Sequence, residues 1–156
     1  MKPEVRTLAP EAAMERIVGL LAYGEQVPLV ITGNSMYPFL RHGWDTVYLQ
    51  KVQRPLKKGD MVLYRRKNGQ YILHRILLAG DTLTLVGDNQ TTAEPDIQKE
   101  QVLAVVSAVR RQDKLLQPGD PVWDFYEKAW LRMIRLRPYL MAIHRRLSGK
   151  KPADLE

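Results

Sequence analysis

Three groups of side chains in this sequence could cooperate in acyl transfer. The stretch Thr32 to Pro38 reads TGNSMYP and places Ser35 at the tip of a turn announced by Gly33-Asn34. Serine is a poor nucleophile at its own pKa and must pass its proton to a neighbouring base as it attacks. Serine and asparagine also populate turns for local backbone bonding alone, so Ser35 gains chemical meaning only if a base can reach it. Of the three histidines, His42 lies in a charged Arg-His-Gly loop and His144 among arginines near the C-terminus, and both read as solvated surface groups. His74 differs. In YILHRI the alternation places Ile72, His74 and Ile76 on one face of a strand. That position suits a satisfied core histidine, or the semi-buried neutral imidazole that a general base requires. The third group is acidic: LVGDNQTTAEPD carries Asp88, Glu94 and Asp96. These are loop-capping carboxylates, or they include an acid that orients His74 and stabilises its imidazolium.

Such groups need a scaffold, and the hydrophobic pattern predicts one. From Pro10 to Tyr23, Ala13, Ile17, Leu20 and Leu21 recur at spacings of three and four, an amphipathic helix opened by Pro10 and ended by Gly24. From Val27 the period falls to two. VPLVIT, DTVYLQKV, DMVLYRR, QYILHRILLA, DTLTLVG and QVLAVVSAVRR read as strands, with Asn68-Gly69 as a hairpin signal and residues 89–99 as a loop. After Pro118 the period returns to helical. Phe125, Tyr126, Trp130, Ile134 and Leu136 alternate with arginines, and Pro138 should kink or split the segment. The organisation is therefore an N-terminal helix and lead-in over 1–26, a mainly β domain over 27–122, and a basic amphipathic helix or helix pair over 123–156.

Composition narrows the functional classes. The chain has 156 residues, 45% hydrophobic and 26% charged, which suits one folded domain with a helical appendage. The absence of cysteine removes disulfides, thiolate zinc sites and thiol nucleophiles, and no cofactor is called for. No run approaches the roughly 18 to 20 apolar residues of a membrane span. MKPEVRTLAPEAAMERI, with its early acids, does not read as a secretory signal. These features predict a cytoplasmic protein. Trp123 to Glu156 carries eight basic against four acidic residues, over half of the net charge of +7. That tail could lie on an anionic leaflet at the inner face of the membrane, with Trp123, Trp130 and Tyr139 at headgroup depth through residues 123–147. Alternatively it packs its apolar side on the sheet. A nucleic-acid partner is disfavoured, because basic and aromatic residues do not interleave on one strand platform.

The order of the short boxes carries more information than any one of them. GNSMYP, GDMVLY, HRI and VGDN follow one another along β-type sequence, and this succession resembles the signal peptidase I family and its LexA-type repressor relatives. In that family an S-M-x-P box carries the nucleophile, a G-D-x-V strand packs beside it, the next strand bears the base, and a G-D-N box closes the site. Ser35, Met36 and Pro38 match the first box, Gly59, Asp60 and Val62 the second, and Gly87, Asp88 and Asn89 the last. The resemblance spans residues 28–110 and implies a signal-peptidase/LexA-like β fold. The bacterial type uses a lysine base, whereas His74 stands at that place here, as in the endoplasmic-reticulum and sporulation type, where an aspartate assists. Lys67 falls in the hairpin turn, away from Ser35. An ungapped match to the histidine type puts Glu94 near the assisting acid, with Asp96 two residues on.

Bacterial-type enzymes also use a hydroxyl two residues before the nucleophile; Gly33 occupies that position, which implies an oxyanion site built from backbone N–H groups around Gly33, Asn34, Ser35 and Met36. The implied activity is serine endopeptidase cleavage of an extended leader- or signal-like segment, paired with a strand edge, with Met36 lining a shallow pocket. The alternative is a non-catalytic peptide- or membrane-docking module on the same scaffold.

Overall fold

The strand signals from Val27 onward assemble into one antiparallel sheet of eight strands in a computed structural model that describes residues 11–149. The predicted opening of the first helix at Pro10 and the polar residues after Gly149 lie outside these. Helix α1 runs Glu11–Ala22, and Gly24, at φ +82°, donates its N–H to the Leu21 carbonyl as the sequence pattern requires. The strands are β1 Val27–Val30, β2 Thr46–Gln50, β3 Met61–Arg65, β4 Tyr71–Ala79, β5 Leu83–Val86, β6 Glu94–Ile97, β7 Val102–Arg111 and β8 Lys114–Leu116. Their order is β1-β2-β7-β3-β4-β5-β6, with β8 on β7. The long β7 joins the two halves because it pairs with both β2 and β3.

Two strands were not evident from the sequence. Residues 89–99, read as a loop, contain β6, which carries Pro95 and survives because it is the edge of the sheet, where one face of the backbone needs no ladder partner. β8 is three residues long, too short for its alternation to register. The hairpin at Asn68-Gly69 is present, with Gly69 at φ +92° and its N–H on the Arg66 carbonyl, and Arg66 and Gln70 close the turn.

Both faces of the sheet are covered. On one side Met61 and Leu63 of β3 and Ala104 and Val106 of β7 meet Met14 and Leu21 of α1 and Met36, Phe39 and Leu40 of the loop after β1. On the other side Val62, Tyr64 and Val105 meet Ile76, Leu83, Leu85 and Ile97. This explains why β3 is buried along nearly its whole length instead of alternating.

The C-terminal segment breaks into α2 Pro121–Asp124, a π-helical stretch Phe125–Trp130, a 3₁₀ turn Ile134–Leu136 and α3 Arg137–Ser148. Of the two expectations for Pro138 the split holds: the segment breaks just before it, and the proline sits unkinked in the first turn of α3, where its missing N–H costs nothing. Trp123 and Trp130 are buried and cannot lie at headgroup depth: Trp123 packs edge-on to Phe39, and Trp130 donates its indole N–H to the Asp88 carbonyl at 2.7 Å. A different row faces water: Leu136 at the end of the 3₁₀ turn, then Tyr139 (72% exposed), Ile143 and Leu147 (83%) on one side of α3. No helix among the described residues is long and apolar enough to cross a membrane.

Candidate active site

The residues after β1 form a folded loop rather than a simple turn. Ile31 continues the β1 ladder by donating to the Asp45 carbonyl, and Gly43 donates back to Ile31. Gly33, at φ +80°, turns the chain, and Tyr37 N–H to Asn34 and Leu40 N–H to Met36 close two successive turns. Buried Met36, Phe39 and Leu40 pin this loop into the core, which leaves Ser35 half-buried at its surface. A hollow of about 90 Å³ opens beside Ser35, bounded by Thr32, Gly33, Met36 and, across the gap, Tyr71 and Ile72 of β4. It shares Ile31, Thr32, Tyr71 and Leu73 with a second hollow of about 160 Å³ that reaches Met14 and Leu29. The two form one groove between the free side of β1 and the start of β4. Met36 thus lines the groove while anchoring the loop.

The GDN box touches the Ser35 loop directly. Asn89 N–H donates to the Ser35 carbonyl at 2.9 Å. A Cβ added at Gly87 would stand 2.5 Å from that same oxygen, so only glycine fits without moving the loop. Gly59 of the second box is equally constrained, with φ +95° and Glu127 where a side chain would go.

His74 pairs across the ladder with Val62 and lies on the inner face with Ile72 and Ile76, 4% exposed. Burial, reinforced by the Arg66 charge, pulls its imidazole down to about 4 against the opposing pull of Glu94 and Asp88, so it is neutral at pH 7. Its ring meets the Tyr64 hydroxyl at 3.4 Å from Nδ1, a long contact. Tyr64 in turn donates to Glu94 Oε2 at 2.7 Å, and Arg66 grips both oxygens of Glu94 at 2.9 to 3.1 Å. The hydroxyl has one proton and spends it on Glu94, so towards His74 it can only accept; a proton on Nδ1 with the lone pair on Nε2 is the tautomer that fits this arrangement. Burial raises the Glu94 carboxyl, yet its bonds from Arg66 and Tyr64 outweigh that and hold it below the usual range.

The three candidate acids separate. Glu94 reaches His74 through Tyr64. Asp88 is committed elsewhere: Arg75 clasps it with Nε and Nη2, both at 2.9 Å, inside the core. It therefore does not hold the imidazole, although its charge acts on His74 through space. Asp96 is exposed on the edge strand at φ +61°. Among the described residues no hydrogen bond joins Ser35 to His74; Ile72, two residues before His74 on the same face, borders the Ser35 hollow. Gly33 N–H is taken by His42 Nδ1 at 2.7 Å, which removes it from any oxyanion site while that bond stands. His42 is thus a loop brace, and His144 bonds the Tyr37 hydroxyl at 2.8 Å, so neither is merely solvated.

Tyr64 and Arg66 were missed from the sequence. Their signal was present in the hairpin register, since Tyr64 lies two residues from Val62, the cross-strand partner of His74, on the same face. No group of three or more His, Asp or Glu side chains among the described residues is placed to hold a metal ion.

An antiparallel β domain with a serine-bearing loop closed by a Gly-Asp-Asn turn defines the class to which this chain is similar. Residues 11–109 match the Peptidase S24-like family, and the chain belongs to that family, within the LexA and signal peptidase superfamily. No curated protein matches the chain.

Proposed function

We propose that this protein is a serine endopeptidase of the signal-peptidase-like, histidine type. Ser35 Oγ attacks the scissile carbonyl carbon while its proton passes to His74 Nε2. The tetrahedral intermediate collapses with cleavage of the C–N bond, and the imidazolium returns the proton to the leaving amine. Water, with His74 again as base, then releases the acyl group from Ser35. Tyr64 and Glu94 hold the Nδ1–H tautomer, and Arg66 holds Glu94. The substrate is an extended polypeptide laid along the groove between β1 and β4, with its backbone on the unpaired side of β1. The observation that carries this reading is the burial of His74, on the strand whose Ile72 borders the Ser35 hollow.

A fluorophosphonate probe tests it. The wild-type chain should acquire one adduct on Ser35, Ser35→Ala none, and His74→Asn should label about 10²–10⁴ times more slowly. A folded wild-type chain that stays unlabelled while a control serine peptidase labels fully would favour the non-catalytic peptide-docking module instead.

A second reading, peripheral contact with an anionic leaflet, is supported by the exposed row Leu136, Tyr139, Ile143 and Leu147 with Arg135, Arg145 and Arg146 beside it. Vesicles of anionic phosphatidylglycerol should pull the chain down at low salt, and Ile143→Glu with Leu147→Glu should abolish this. Equal sedimentation of the variant removes the reading.

A further inference from the structure

Among the described residues, the hollow beside Ser35 is not the one with the most apolar lining. A cavity of about 440 Å³ lies behind the nucleophile loop, between Tyr37 and Pro38 on one side and the C-terminal helices on the other. It shares no lining residue with the Ser35 groove. Its size falls within the range of about 300–1,000 Å³ typical of small-molecule sites.

The walls differ in character. Phe125, Trp130, Met133, Leu140 and Met141 from the C-terminal segment make one apolar side, with methionines that can adapt to a flexible occupant. Arg41 from the loop and Arg111 from the end of β7 make a cationic side, and no aspartate or glutamate lines the cavity. These arginines are weakly satisfied. Arg41 Nε is buried without a hydrogen-bond partner, with Asp45 Oδ2 at 3.5 Å, and Arg111 has one long contact, 3.4 Å, to the Pro38 carbonyl. Half-buried guanidinium groups with unused donors favour an anion that can accept from both.

We propose that this cavity binds a single-chain anionic amphiphile, its carboxylate or phosphate on Arg41 and Arg111 and its chain between Phe125, Trp130, Met133 and Leu140. The site is separate from the water-facing row of α3. Leu140, Met141, His144 and Ser148 face the cavity, whereas Tyr139, Ile143 and Leu147 lie on another arc of the helix. An occupant would rest against Tyr37, two residues from Ser35, and against the Tyr37–His144 hydrogen bond that ties the loop to α3.

Calorimetric titration of the full chain with decanoate and dodecanoate, both below their micelle concentrations, tests this independently of any peptidase activity. One equivalent should bind, and the two added methylenes should tighten binding about 15-fold. Dodecyltrimethylammonium should bind at least tenfold more weakly than dodecanoate. Arg41→Gln with Arg111→Gln should lose at least tenfold, while Ile143→Glu should bind as wild type. Equal affinity for the cationic amphiphile, many equivalents bound, indifference to chain length, or equal loss in Ile143→Glu would each overturn the proposal. Sedimentation with phosphatidylglycerol vesicles in the absence of saturable dodecanoate binding would overturn it too, placing lipid on the outer arc alone.

Discussion

Asp88→Ala should destabilise the fold by about 3–5 kcal/mol in urea unfolding, the usual result of removing one partner from a buried ion pair. Asp88 is fully buried and Arg75 is 1% exposed, joined by two bonds of 2.9 Å. The remaining donor of Arg75, Nη1, reaches the Gly59 carbonyl, and its guanidinium lies over the Phe39 ring. Without the carboxylate this charge has no route to water. Arg137 adds to the cost. It is buried too, bonds only carbonyls, at Gly87, Gln90 and Trp130, and is held below its ordinary pKa by burial while the Asp88 charge works the other way. Removing Asp88 therefore strands two cations. The double variant Arg75→Met with Asp88→Leu should regain at least half of the loss, because an apolar pair of similar volume leaves one buried charge fewer. An Asp88→Ala protein within about 1 kcal/mol of wild type would show that the pair does not organise the core.

The second large effect is a pH dependence centred on His74. The folded imidazole titrates at about 4 against about 6.5 when unfolded. Between those values the unfolded chain binds a proton that the folded chain refuses, so stability is complete above about pH 6.5 and falls as pH drops towards 4. The loss reaches about 3 kcal/mol, from about 1.4 kcal/mol per unit. Carboxylates also titrate in this range, so the reading is the difference from His74→Leu, which should lack this component. Parallel pH curves for the two proteins would contradict the burial of a neutral imidazole. The same origin predicts that the acid limb of labelling at Ser35 lies unusually low. Arg66→Gln should move it upward, since the Arg66 charge is one of the forces pulling His74 down.

How much of this was legible in the sequence varies by element. β1 to β5 and β7 were readable from period-two alternation and turn residues, whereas β6 was hidden because Pro95 and the acids around it resemble a loop until an edge position makes them admissible. Ser35, His74 and the GDN turn stood out as boxes in order. The division of labour among the acids did not, because Asp88, Glu94 and Asp96 sit within nine positions of one another and differ only in what the fold brings to them.

By itself, then, the sequence determined the local elements and the residue types available for chemistry, since periodicity and turn propensity act over a few residues. The tertiary structure alone decided that Arg75 takes Asp88, that Tyr64 links Glu94 to His74, that His42 occupies the Gly33 amide, and that the tryptophans of the tail turn inward. The physical reason is that each of these is a contest for a partner in a desolvated space. Which donor meets which acceptor there depends on strand register and on packing between segments as far apart as Gly87 and Arg137, and no short-range pattern encodes that distance.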